Sequence, residues 1–417
     1  MSIVQNFKHV DWLQHSCIQK ILHILSLEGE EARVVGGAVR NQLLEKPISD
    51  IDIATTCLPQ QIIARAENAG FKAIPTGVAF GTVTVVTESC SYEVTTLRSD
   101  IETDGRHAKV IFGRDWQKDA ERRDFTINAL YCDADGQLYD AVGGLNDIAS
   151  RTIRFIGIAE NRIREDYLRI LRFFRFFAWY GAGRPDAQGL KACACLKNGL
   201  HKLSSERIWG EMKKLLTVSD PVRALLWMRQ SGILTIIFPE TEKWGIDTIH
   251  SLVKIEQILG WKADPLLRLE SMLPPDPVRL HAMAHRLRLS NKETTRLKKW
   301  AELEVISQNC SDHFIKKLIY FHGRQPVLDQ LSLSIAAAYV DVPEKNEALK
   351  KAGNYIRLYQ LAQKWEIPAF PVSGKELIKK GLVKGVLIGQ KLKELEMIWI
   401  ESGFLIDQDE LLKKINL

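Results

Sequence analysis

The chain has 417 residues, enough for two or more domains, and 46% of them are hydrophobic, as in ordinary soluble globular proteins. Its densest apolar stretch, residues 170–180, is broken by Arg172 and Arg175, so no membrane-spanning helix is expected, and the first residues lack the basic-then-apolar pattern of a secretory signal. Seven cysteines without a CxxC pair argue against a disulfide framework or a zinc ribbon and suggest reduced thiols in the cytoplasm, while the net charge of +6 permits an acidic partner without demanding one.

In chain order, residues 11–27 have helical apolar spacing, and residues 32–35 read as a short buried strand ended by Gly36 and Gly37. Residues 38–44 predict a helix. Residues 50–54 predict a second strand, with apolar residues alternating against acids. Pro59 opens a helix that runs to about Asn68 and stops at Gly70. Residues 81–87 and 92–97 are rich in Val and Thr and predict an antiparallel pair. The polar residues 100–109, with Gly105, predict a mobile loop; residues 125–131 predict a helix and 133–136 a turn. After Gly144 strand signals largely vanish. Residues 163–179 predict one strong helix, and later helical segments are separated by Pro221, Pro239, Pro265, Pro274, Pro275, Pro343 and Pro368. The expected architecture is a small α/β head followed by a long all-helical body.

Chemistry concentrates first in residues 34–53, VVGGAVRNQLLEKPISDIDI. Asp50 and Asp52, two apart on an expected strand, point to the same face. Paired carboxylates repel unless a cation lies between them, and hard divalent ions such as magnesium take such oxygens. Gly36 and Gly37 precede a helix start, whose free N–H groups favour phosphate, and Arg40 follows in the first turn. Alone, a DxD pair also reads as an acidic strand edge beside a glycine turn.

Gly36–Gly37–Ala38–Val39–Arg40 followed by Asp50–Ile51–Asp52 resembles the signature of the class II tRNA nucleotidyltransferase and bacterial poly(A) polymerase family. Three further blocks match in order: RRDFTINAL at 122–130, DAVGGLND at 140–147 and EDYLRILRFFRF at 165–176. The resemblance covers roughly the first half of the chain. It implies a polymerase-β-like nucleotidyltransferase head (1–147), a helical neck carrying the base-reading helix (148–225), a helical body (226–330) and a helical tail that touches tRNA (331–417). One departure is Asn41, where the family commonly has Asp.

The resemblance implies addition of C, C and A to tRNA 3′ ends from CTP and ATP with magnesium. Asp50 and Asp52 then hold metal, and Gly36, Gly37, Arg40 and Arg172 face the triphosphate. Arg123 contacts the nucleotide, and Asp124 and Asn128 select ribose. Asp166 and Arg169 become a protein template for the base. Cytosine and adenine both offer an amino donor beside a ring-nitrogen acceptor, which a carboxylate and a guanidinium match; uracil and guanine reverse both partners. Without the resemblance, Asp166, Arg169 and Arg172 read as one side of a salt-bridged amphipathic helix. Glu93 is a candidate third acid and Arg98 flanks the expected loop; Arg122 reads as a solvated charge, and Asp140 as a structural brace. Alternatives are a poly(A) polymerase, a partial enzyme adding only CC or only A, and a non-catalytic RNA-binding scaffold. The carboxylate pair argues against the last.

Overall fold

The computed structural model describes residues 6–88, 90–104, 107–242, 247–340, 345–380 and 386–414. The chain forms two compact units, Met1–Glu242 and Lys243–Leu417. Among its described residues the first holds nine strands: β1 (Ala32–Val35), β2 (Asp52–Thr55), β3 (Lys72–Gly77), β4 (Thr82–Val86), β5 (Ser91–Thr96), β6 (Arg98–Asp104), β7 (His107–Phe112), β8 (Leu130–Cys132) and β9 (Leu138–Asp140). Seven of them make one sheet in the order β3-β4-β5-β2-β1-β8-β9. Only the β2–β5 pair in it is parallel.

The sheet forms because its strands carry buried Val and Ile at its centre: Val34, Ile53, Val83 and Val94 are each 0% exposed. Burying each such side chain contributes roughly 1.5–3 kcal/mol. The Ser16–Leu25 helix packs on β1 and on the Pro59–Asn68 helix, which covers β3, β4 and β5. The register sets the chemistry. β1 places Val35 opposite Asp52, and β5 places Glu93 beside Asp52.

Four expectations need correction. Asp50 precedes β2, which starts at Asp52. Residues 100–109 lie largely in the β6–β7 hairpin, whose turn residues Gly105 and Arg106 are outside the described residues. Their polarity looked loop-like, but the ladder is held by backbone hydrogen bonds, which polar residues make as readily as apolar ones. Residues 125–131 form a 3-10 turn, Thr126–Asn128, and then β8. Pairing of Val34 with Cys132 overrides the helical pattern there, and Gly144 packs so closely that a Cβ on it would lie 2.4 Å from the Thr126 carbonyl oxygen. Finally, residues 163–179 are not one helix. The helices Ala159–Glu165 and Leu168–Tyr180 are separated at Asp166, which is extended (φ −155°, ψ 108°).

The Leu168–Tyr180 helix is tied to the head by aromatic packing. Phe125 meets Phe155 and Phe176 at centroid distances of 4.9 and 5.1 Å, and Phe155 stacks on Phe173 at 5.4 Å. Such pairs add about 0.5–1.5 kcal/mol each beyond area burial. This packing fixes Asp124, next to Phe125, against the helix that carries Arg172.

Among its described residues the second unit is helical, from Asp247–Leu259 to Gln408–Lys413. One apolar cluster centres on Ile319, Leu331, Ile335 and Leu358, and another on Leu377, Trp399, Ile400 and Leu411. Within the expected helical tail, the Gly374–Lys379 helix is capped at its start by Ser373 and Glu376; residues 381–385 lie outside the described set. Among the described residues no helix is long and apolar enough to cross a membrane.

Candidate active site

A cavity of about 720 Å³ opens in the first unit. It gathers Gly36, Gly37, Arg40, Asp50, Asp52, Arg123, Asp124, Asn128, Asp166, Arg169 and Arg172. Every one of these was expected from sequence. Glu93 and Arg98 do not line it. Glu93 stands beside Asp52 in the sheet register, and Arg98 donates to the Phe80 carbonyl.

The floor is the glycine turn. Gly36 has φ +72°, a conformation costly for any side chain, and sits between β1 and the Gly37–Leu43 helix. That helix has no side-chain cap at its start, so its first N–H groups are open to an anion. Asp52 begins β2 beside this turn. Burial raises its pKa first, and the neighbouring Glu93 carboxylate adds to the rise, against an opposing pull from Arg123.

On the far wall the arginines are held by acids. Arg172 Nε donates to Asp124 Oδ2 at 2.7 Å. Burial pushes the Asp124 carboxyl up, but the Arg172 guanidinium and the Asn128 amide outweigh it and hold the pKa below its usual value. Arg123 Nη2 reaches Asp119 Oδ2 at 3.0 Å, and Tyr131 Oη donates to the same oxygen at 2.8 Å. Arg122 pairs with the other oxygen of Asp119 at 2.7 Å and is therefore no solvated charge. Asp119 is itself 1% exposed. Its pKa, raised by burial, is lowered overall by Arg123, Arg122 and Tyr131.

The two base-reading candidates flank the break before the Leu168–Tyr180 helix. Asp166 Oδ1 accepts from the Leu168 N–H at 3.1 Å, and its Oδ2 accepts from Arg207 Nη2 at 2.6 Å. Arg169 Nη1 donates to Glu165 Oε2 at 2.6 Å and to the Arg162 carbonyl at 2.9 Å. They are neighbours at a helix start rather than members of one helical stripe. Asp140 accepts from the N–H groups of Val142, Gly144 and Leu145, the structural bracing expected of it.

Sequence reasoning missed Arg175, Phe176, Arg207 and Lys214 in the lining, and Asp119, Tyr131 and Tyr180 behind it. Arg175 and Phe176 adjoin the expected stripe and were findable by extending it; Arg207 and Lys214 come from the Ser205–Leu216 helix, which carries no local signal of the site. The lining thus has seven cationic side chains against four carboxylates. That balance suits a polyanion such as a nucleoside triphosphate.

Residues 32–154 match the Poly A polymerase head domain family, and residues 185–244 match the family described as the probable RNA and SrmB-binding site of polymerase A. Over 405 residues, the chain is 35% identical to the mitochondrial CCA tRNA nucleotidyltransferase 1 of Mus musculus, covering 96% of this chain and 89% of that protein. The CCA-adding enzyme of Staphylococcus epidermidis is 28% identical, with 95% and 96% covered. Among solved structures, the Bacillus stearothermophilus CCA-adding enzyme in complex with CTP superposes with a TM-score of 0.66 at 27% identity, covering 92% of each chain. The Thermotoga maritima CCA-adding enzyme complexed with tRNA shares the fold, with a TM-score of 0.67 at 21% identity over 95% of this chain and 94% of that one.

Proposed function

This chain belongs to the family of CCA-adding tRNA nucleotidyltransferases, and on that premise we propose that its 720 Å³ cavity binds CTP and ATP in turn and joins them to the tRNA 3′ end. The enzyme adds C, C and A without a nucleic-acid template: the terminal 3′ oxygen bonds to the α-phosphorus, and the bond from that phosphorus to pyrophosphate breaks. The observation that carries the assignment of the site is the meeting of Asp50 and Asp52 with seven cations around one cavity.

Enzymes of this family are magnesium-dependent. The donors here fit that ion. Both acids offer oxygen only, and among the described residues no cluster of three or more His, Cys, Asp or Glu is preassembled around a metal. Magnesium is commonly held by one or two carboxylates together with substrate phosphates, so two suffice. Bound there, the ion supplies charge neutralisation at the triphosphate and acidifies the attacking hydroxyl.

The chain's own residues do the rest. The N–H groups after Gly36 and Gly37 face the phosphates, with Arg172 and the unforeseen Arg175 and Lys214 adding charge. Arg123, anchored on Asp119, contacts the nucleotide, while Asp124 and Asn128 face the ribose. Asp166 accepts from the amino group of cytosine or adenine, and Arg169, with donors left over from Glu165 and Arg162, meets the ring nitrogen. The described helices of the second unit are proposed to hold the tRNA.

The test is incubation with magnesium, labelled CTP or ATP, and tRNAs ending before CCA, after C and after CC, with products resolved at single-nucleotide length. Growth to CCA and no further is expected. Arrest after CC, addition of A alone, or a long poly(A) tail would assign the chain to a different activity of the same head.

A further inference from the structure

Resting on the reading of Asp124 and Asn128 as the ribose-facing pair, we propose that Tyr180 is a positioning residue for ribose selection, acting through Arg40. The observation is a closed run of hydrogen bonds that leaves the Leu168–Tyr180 helix and returns to it. At one end Arg40 Nη2 donates to Tyr180 Oη at 2.9 Å. Arg40 Nη1 then donates to Asn128 Oδ1. Asn128 Nδ2 donates to Asp124 Oδ1 at 2.9 Å, and Asp124 Oδ2 accepts from Arg172 Nε at 2.7 Å. Arg172 and Tyr180 lie eight residues apart on one helix, about two turns, so the run is anchored at two points on a single rod.

The arrangement fixes which way the Asn128 amide faces. Its oxygen is taken by a cation and its nitrogen by an anion, so a flip would set donor against donor and acceptor against acceptor. One N–H of the amide remains for a sugar oxygen. Arg40 is the keystone. It is 8% exposed, and its Nε and Nη2 also donate to Asn41 Oδ1 at 3.1 and 2.9 Å. Four of its five N–H groups are thus engaged within the protein, which fits a brace better than a phosphate clamp. Its guanidinium also lies 4.3 Å from the Tyr180 ring centroid and 5.3 Å from that of Phe176. Phe176, midway between Arg172 and Tyr180 at helical spacing, completes the wall.

Asn41 fits the same scheme. Its oxygen serves Arg40 as an aspartate oxygen would, and its Nδ2 donates to the Pro47 carbonyl at 2.7 Å, which an ionised aspartate cannot do. The helix exit is thereby tied to the brace without placing a further negative charge beside Arg40.

Removing the Tyr180 hydroxyl takes away one of the four bonds that hold Arg40 and so loosens its grip on the Asn128 amide. The ring and its packing survive in Tyr180→Phe. The ratio of kcat/KM for CTP over dCTP, on a tRNA lacking CCA, is expected to fall about tenfold in that variant, the worth of one well-placed buried hydrogen bond. Arg40→Lys, whose single ammonium cannot bridge Asn41, Asn128 and Tyr180, gives the same signature if the first variant folds poorly. Asn128→Ala reports on the underlying reading. If it leaves the CTP/dCTP ratio intact, the assignment of Asn128 to ribose is wrong. If it collapses the ratio while Tyr180→Phe and Arg40→Lys keep the wild-type ratio, that assignment stands and the proposal for Tyr180 is overturned. Equal losses on CTP and dCTP would make Tyr180 a merely structural residue and would overturn it too.

Discussion

Asp166→Asn separates base reading from general support of the cavity. In the native site Asp166 Oδ2 accepts from Arg207 at 2.6 Å and Oδ1 from the Leu168 N–H at 3.1 Å, and its side chain is 18% exposed. A hydrogen bond from a cytosine amino group to this carboxylate is a charged one, worth ~1.5–3 kcal/mol. Partial solvent access places it at the lower end, and ~1.4 kcal/mol corresponds to tenfold. Asparagine weakens that bond. Turned over, it also presents an amino group to the uracil carbonyl that a carboxylate repels. Both effects move selectivity the same way, so kcat/KM for CTP over UTP should fall between roughly tenfold and a hundredfold. Loosening of Arg207 slows both nucleotides and cancels in the ratio. The assay is initial-rate kinetics with each nucleotide on a tRNA lacking CCA. A ratio within twofold of wild type, at whatever rate, would show that the base is chosen elsewhere.

Asp52→Ala should abolish incorporation yet leave tRNA binding within a few-fold in a gel-shift titration; appreciable turnover would remove Asp52 from the metal site. Arg172→Ala should raise KM for CTP and ATP by a similar factor, roughly tenfold from the loss of one charge-assisted contact, since phosphate contacts carry no base information; a change confined to one nucleotide contradicts this. Asp119→Asn leaves Arg122 and Arg123 without their shared counter-charge and should cost roughly 3–5 kcal/mol of stability, read by denaturant unfolding. The wild-type contribution also depends on pH. The Asp119 pKa is held below its ordinary value in the folded protein, so its stabilisation is complete above the unfolded pKa of about 3.9 and disappears as pH falls through the lower native value. In Asp119→Asn that part of the acid-induced loss should be absent; an unchanged pH profile would refute the assignment.

Much of this site was legible because its chemistry is local in sequence. Gly36, Gly37, Asp50 and Asp52 fall within one strand–helix–strand unit, and the buried Val and Ile of β1, β2, β4 and β5 announce the sheet that aligns them. The break at Asp166 was harder, since the apolar spacing runs unbroken from Ile163 through Leu168 and Leu171. An Asp just before an apolar run is nevertheless a start signal for a helix, and here its Oδ1 does accept from the Leu168 N–H. Gly199 also takes part: a Cβ there would lie 1.9 Å from the Tyr167 ring, so its bare backbone gives Tyr167 room beside the break. That contact spans about thirty residues, and no local pattern encodes it.

Composition alone cannot sort the carboxylates by what they oppose. All four in the cavity look equivalent as letters, yet the fold divides them into two kinds. Asp124 is bound to Arg172 and Asp166 to Arg207, so each has its charge answered by a named guanidinium. Among the described residues neither Asp50 nor Asp52 has an arginine or lysine within ion-pair distance, although Arg40 and Arg123 line the same cavity. Those two arginines are turned elsewhere, one to Asn128 and Tyr180, the other to Asp119. Both acids reach solvent, so water screens them, and Arg123 and Arg40 act on Asp52 only at longer range, while the residues behind the wall keep those arginines from closing an ion pair with it. The contacts that hold Arg40 and Arg123 behind the wall therefore leave the Asp50 and Asp52 carboxylates without an arginine partner, which is the arrangement the proposed magnesium site requires.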